Sequence, residues 1–168
     1  MFEIVKTYKE KLPSLRLIGI PYTDKDRNAF GSFSDKWDEW FTSGKFKILE
    51  KLQSLSENDN AYVGCMRMNN NMIEYWIGMF FPVDTQTPEG FQCIDIEEGF
   101  VGTNWIYGSE SNGELYGYEP HNASMKKIEE NNWKSADTWY FERYNCPRFT
   151  TPDKFGKVIL DYCIYLKD

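Results

Sequence analysis

The hydrophobic positions of this chain change spacing in the same order twice, and that repeated order restricts the fold more than any single motif. Residues 14–22 read as a strand, closed by Pro21 and the charged turn 23–27. From 30 to 55 the spacing becomes helical: Phe30, Phe33, Trp37, Trp40 and Phe41, then, after Ser43-Gly44, Phe46, Leu49, Leu52 and Leu55. This predicts one kinked helix or two short ones, with Ser34 as an N-cap candidate. After a polar break at 56–60, segments 61–68 and 72–81 read as two strands joined by Asn69-Asn70-Asn71, residues that tolerate left-handed turn geometry.

Residues 82–90, with two prolines and two threonines, are the best linker candidate. Segments 91–97 and 100–107 then alternate like one long strand interrupted at Glu98-Gly99. Residues 113–132 carry a weak helical stripe at Leu115, Tyr118, Met125 and Ile128, with a break expected at Pro120 and a cap at Asn122. Segments 138–145 and 156–166 give a last pair of strands. Residues 1–13 read as a polar lead-in.

The expected fold class is therefore α+β in a single domain over 1–168, made of two strand-helix-strand-strand modules at about 14–81 and 91–167. Each module is an antiparallel sheet with a helix on one face. A pseudo-twofold axis relating the two would let them cover each other around a central pocket.

Charge and cysteine usage narrow the function. The 168 residues hold 19 basic and 26 acidic side chains, net −7, without a run of Lys or Arg, which argues against direct nucleic-acid binding. No apolar run approaches the roughly 18 to 20 residues of a membrane span. The N-terminus lacks the features of a secretory signal, so a cytoplasmic location without membrane contact is expected. Cys65, Cys93, Cys146 and Cys163 are widely spaced and sit in apolar segments, as reduced cysteines do, and no metal site is expected. There is no Gly-x-Ser-x-Gly elbow, no His-Glu-x-x-His and no Gly-rich phosphate loop, and no cofactor is expected. The single histidine, His121, reads as an exposed loop residue beside Pro120.

The stretch 138–144, Thr-Trp-Tyr-Phe-Glu-Arg-Tyr, sets a carboxylate in the middle of an aromatic strand. Side chains alternate between faces, so Tyr140, Glu142 and Tyr144 share one side while Trp139, Phe141 and Arg143 share the other. A carboxylate among rings either has its pKa raised by desolvation or keeps its charge by pairing with a cation. The strand alone leaves open whether Glu142 is such a group or an ordinary solvated one. With 12 Phe, 11 Tyr and 6 Trp, or 17% aromatic, the chain has ample material for a cage around a lipophilic cation. Trp37, Trp76, Trp105, Tyr107, Tyr140, Tyr144 and Tyr162 are the candidate walls and Glu142 the charge partner.

Several short motifs in fixed order carry a resemblance. They are Leu12-Pro-Ser-Leu-Arg-Leu-Ile-Gly, Trp37-Asp-Glu-Trp-Phe, Glu74-Tyr-Trp-Ile-Gly, Glu97-Glu-Gly-Phe-Val, Phe141-Glu-Arg-Tyr and Asp161-Tyr-Cys-Ile-Tyr-Leu-Lys. Together they resemble the GyrI-like effector-binding family, also seen as the drug-binding domain of BmrR-type multidrug regulators. The resemblance implies a central pocket for hydrophobic, cationic or aromatic compounds, with a Glu on the third strand of the second module at its base, matched here by Glu142. Trp76, Trp105 and Tyr162 match its aromatic walls.

Regulators of that family carry a DNA-binding helix-turn-helix ahead of this domain, where this chain has about a dozen residues. A third reading, ranked behind the two below, is a protein–protein module that partners a separate DNA-binding chain or gyrase. The leading expectation is a small-molecule-binding protein. The alternative is a cofactor-independent hydrolase in which catalytic Glu142 activates water to open cyclopropane-type electrophiles.

Overall fold

A computed structural model describes residues 1–52 and 61–168. Leu55 and the polar break at 56–60 lie outside the described residues. The fold is α+β with antiparallel sheets, as the alternating periods predict. The chain divides into two compact units, one of Ser14–Glu97 and one of Met1–Pro13 with Glu98–Asp168.

In the first unit, β2 (Leu15–Tyr22) is followed by a 3-10 turn (Asp24–Asp26), α1 (Ser34–Ser43), α2 (Lys45–Leu49), β3 (Tyr62–Asn69), β4 (Met72–Phe81) and β5 (Gln92–Ile96). The helical segment breaks where expected, because Gly44 adopts φ 76°, a conformation glycine takes without steric cost. Ser34 begins α1 but does not cap it; Phe33 occupies that position. The hairpin turn also forms as read, with Asn70 and Asn71 at φ 52° and 63°. Strand order is β3-β4-β2-β5. The face bearing Ile18, Tyr22, Tyr75, Ile77, Met79 and Phe81 packs on Phe33, Trp40, Phe46 and Leu49 from the helices.

The second unit holds β1 (Glu3–Leu12), β6 (Gly99–Gly108), α3 (Tyr118–Glu130), β7 (Ser135–Tyr144) and β8 (Val158–Leu166), in the order β1-β6-β8-β7. Both units thus use one plan: an added strand, then the first, third and second strands of a strand-helix-strand-strand run.

The added strands depart from the sequence reading. The polar lead-in is β1, paired with β6 from Glu3 to Leu12. Its Lys6, Lys9 and Lys11 are typical of a charged edge strand, and these lysines hide the alternation. Residues 91–108 are also not one interrupted strand: β5 pairs with β2 and β6 with β1 and β8, so Glu97-Glu98 is where the chain passes from one unit to the other.

Pro120 does not break the helix either. It sits in the first turn of α3, where the missing N–H would have had no intrahelical acceptor. Asn122 is therefore inside the helix rather than a cap. Ile128 seats α3 on β6, since a Cβ at Gly102 would lie 2.3 Å from the Ile128 Cδ1. Among the described residues no helix is long and apolar enough to cross a membrane.

Candidate functional site

The register of β6, β8 and β7 builds a polar row on the face of the sheet that carries α3. Glu142 lies opposite Tyr162 on β8, and Tyr162 lies opposite Asn104 on β6. Asn104 in turn faces Thr7 on β1, whose hydroxyl donates to the Asn104 Oδ1 at 2.8 Å. Glu142 is only 7% exposed and Tyr162 6%. Counting β6 as the first strand of the module, Glu142 sits on the second strand rather than the third.

Alternation turns Arg143 to the opposite face. There its guanidinium bonds the Glu10 carboxylate at 2.8 Å and the Asp161 carboxylate at 3.0 Å. The cation nearest to Glu142 in sequence is thus committed elsewhere. Two phenols, Tyr116 and Tyr162, feel the charge of Glu142. Burial first, and then the negative charge of Glu142, push the Tyr162 hydroxyl far above its ordinary range. The same two causes act on Tyr116, which also shares a hydrogen bond with Tyr144. Both phenols therefore stay protonated at neutral pH.

The helix completes the cluster. Because α3 runs through Pro120, His121 is a half-buried helical residue and not a loop one. Its Nδ1 and the Tyr162 hydroxyl share a hydrogen bond of 2.6 Å. Its ring stands edge-on to Tyr140 and to Tyr162, with centroids 5.2 and 5.7 Å apart. Burial lowers the His121 pKa from its ordinary 6.5, which favours the neutral ring. Tyr140, whose hydroxyl donates to Asp137 at 2.9 Å, closes the site toward the start of β7.

Of the residues expected at the site, Glu142, Tyr140, Tyr144 and Tyr162 are brought together. Tyr116, which the sequence did not single out, joins them, and so does His121, which was read as an exposed loop residue. A rigid helix through Pro120 is what places His121, and the only clue in the sequence was that proline's position near a helix start.

Trp105 and Tyr107 do not join. They point to the opposite face, in register with Asp161 and Ile159. Trp105 lies there between the Arg148 guanidinium, 4.4 Å from its ring, and the Lys6 ammonium at 4.6 Å. Tyr107 donates its hydroxyl to Asp153.

Trp37 and Trp76 belong to the first unit. Trp37 packs against Phe41 and Phe46 and donates to the Tyr75 hydroxyl at 3.1 Å, as part of that unit's core. Trp76 is on the other side of its sheet, donates to Glu74 at 2.6 Å, and floors an open groove of about 550 Å³ with Arg67, Met72 and Gln92. Glu74 is satisfied within that groove by Trp76, Asn69 and Arg67. Burial pushes its pKa up, but these three bonds outweigh it and the carboxylate stays below its ordinary range.

No protein-family model and no curated protein matches the sequence. Solved structures do match it over nearly its full length. A Staphylococcus aureus MU50 protein assigned to bacterial transcription regulation superposes with a TM-score of 0.68 at 15% identity, covering 97% of this chain and 99% of the other. SAV2435 bound to tetraphenylphosphonium gives 0.63 at 15% identity, with 97% and 94% coverage. The EcmrR C-terminal domain gives 0.57 at 8%, with 97% and 98% coverage. At these identities the likeness is one of fold. It is the fold that the resemblance to GyrI-like effector-binding domains implies.

Proposed function

We propose that this protein binds small hydrophobic cations at the phenol-ringed carboxylate of the second unit. The observation that carries the reading is Glu142: a carboxylate 7% exposed, facing Tyr162 and flanked by Tyr140 and Tyr144, with Arg143 turned to the other face. Desolvating a carboxylate is expensive. Its cost is offset when a ligand brings a positive charge into the same low-dielectric site. Each ring that the cation meets face-on adds roughly 0.5 to 2 kcal/mol once water is excluded. Neutral His121 suits this role, because it holds the Tyr162 hydroxyl without adding a competing positive charge.

The fold likeness to SAV2435, whose structure holds tetraphenylphosphonium, supports the same ligand class. Nuclear magnetic resonance titration with tetraphenylphosphonium is the test. Shift changes should concentrate on the rings of Tyr116, Tyr140, Tyr144, Tyr162 and His121 and leave Trp105 and Tyr107 unmoved. Changes centred on Trp105 would overturn the assignment. Turnover of a cyclopropane-bearing substrate that is abolished by Glu142→Gln would favour the hydrolase instead.

A further inference from the structure

The polar row continues past the phenols into a part of the fold that the cation reading does not use. Asn104 and Ser124 are both 0% exposed, and both carry a polar atom without a hydrogen-bond partner among the described residues: the Asn104 side-chain nitrogen and the Ser124 hydroxyl. Buried polar groups are nearly always satisfied, and each exception calls for an explanation.

Their positions are fixed relative to the site. Asn104 is the cross-strand neighbour of Tyr162, with its oxygen already engaged by Thr7, so only its two N–H groups remain to donate. On α3, His121, Ser124 and Ile128 share one helix face, three and four residues apart. Ile128 seats on Gly102 and His121 reaches Tyr162. One turn back from Ile128 to Ser124 is about 6 Å along the helix axis, and two residues from Gly102 to Asn104 are about 7 Å along β6, so steps of matching length lead from the Ile128–Gly102 contact to these two residues.

We infer that Asn104 and Ser124 form a second, oxygen-accepting end of the site, so that it discriminates among hydrophobic cations in favour of those carrying a carbonyl or ether oxygen. This rests on the reading of Glu142 as the cation partner. Two strand spacings, roughly 10 Å, separate the row positions of Glu142 and Asn104. The two ends are opposite in polarity: a carboxylate that accepts at one, an amide and a hydroxyl that donate at the other. The recognised class is thus a rigid aromatic cation whose charge and oxygen lie at opposite ends.

Calorimetry with two tetraphenylphosphonium derivatives tests it, one bearing a para-benzoyl and the other a para-benzyl group, alike in shape except for the ketone. Wild type should prefer the benzoyl cation by about fivefold to tenfold, the effect of one or two added hydrogen bonds. Ser124→Ala and, independently, Asn104→Ala should each reduce that preference by about fivefold while leaving the benzyl cation's affinity within twofold. Thermal unfolding of each variant checks that it is folded, and Ser124→Ala suits a helix interior. Equal affinity of wild type for the two cations would overturn the oxygen-accepting end while leaving the cation site intact. Loss of both affinities together in a folded Ser124→Ala would also overturn it, as a packing effect. Failure of wild type to bind either phosphonium would remove the cation site, and the oxygen-accepting end with it.

Discussion

Replacing Asp161 by Asn should cost more stability than any other single polar change in the second unit. Asp161 is 0% exposed. Its carboxylate accepts from the Arg143 Nε at 3.0 Å, from the Asn145 side-chain nitrogen at 3.0 Å, and from the Arg148 guanidinium at 2.6 and 3.2 Å. An asparagine there presents one N–H₂ group to these donors and removes the charge that two guanidiniums face. Removing one partner of a buried ion pair costs roughly 3–5 kcal/mol. Arg143 keeps Glu10 and Arg148 can turn to water, which places the loss near the lower end, about 3 kcal/mol. For a chain of this length that is a fall of about 6–12 °C in Tm, read by circular dichroism. Neighbouring residues on β8 point to opposite faces, so a displaced Asp161 also displaces Tyr162, and tetraphenylphosphonium affinity should fall in the same variant. A loss below about 1 kcal/mol would show that the network is solvated and does not position β8.

Three further outcomes follow from the geometry. His121 has its folded pKa below the ordinary 6.5, so as pH falls through 6.5 the unfolded chain takes up a proton before the folded one does. Stability should decline from there until the folded pKa is passed, and His121→Gln should flatten that decline in urea titrations between pH 7.5 and 5. Trp105→Phe should leave cation affinity within twofold, because Trp105 is on the face opposite Glu142, while costing roughly 1–2 kcal/mol through weaker contact with Arg148 and Lys6. Gly78→Ala should destabilise the first unit by roughly 1–3 kcal/mol or more, measured by urea denaturation, since its Cβ would lie 2.2 Å from the Ile18 carbonyl oxygen.

The local fold was legible wherever one period or one turn residue dominated. Gly44 broke the first helix, the Asn70-Asn71 turn set the β3–β4 hairpin, and the alternation in 138–144 separated Glu142 from Arg143. Strand partnership was less legible, because period and propensity describe a strand's faces and not its edges. β1 and β5 each join the unit that the other half of the chain supplies, and only the pairing reveals it. The site was half legible for a related reason. Tyr140, Glu142 and Tyr144 sit two apart on one strand, and Tyr162 was expected both as an aromatic wall and from the resemblance. Tyr116 and His121 arrive through a turn and a helix whose start depends on Pro120 fitting the first turn. Trp105 and Tyr107 were expected there because they are aromatic, but their register with Asp161 and Ile159 sends them to the other face.

Calorimetric titration of wild type and Glu142→Gln with tetraphenylphosphonium tests the central claim most directly. A carboxylate about 4 Å from a cation in a partly desolvated site interacts by up to about 4 kcal/mol before desolvation is subtracted. The amide should therefore bind at least tenfold more weakly, a loss of about 1.4 kcal/mol or more. Affinity within twofold of wild type in a folded Glu142→Gln would contradict the claim, and would make Glu142 part of the phenol network's structure and not a charge partner for the ligand.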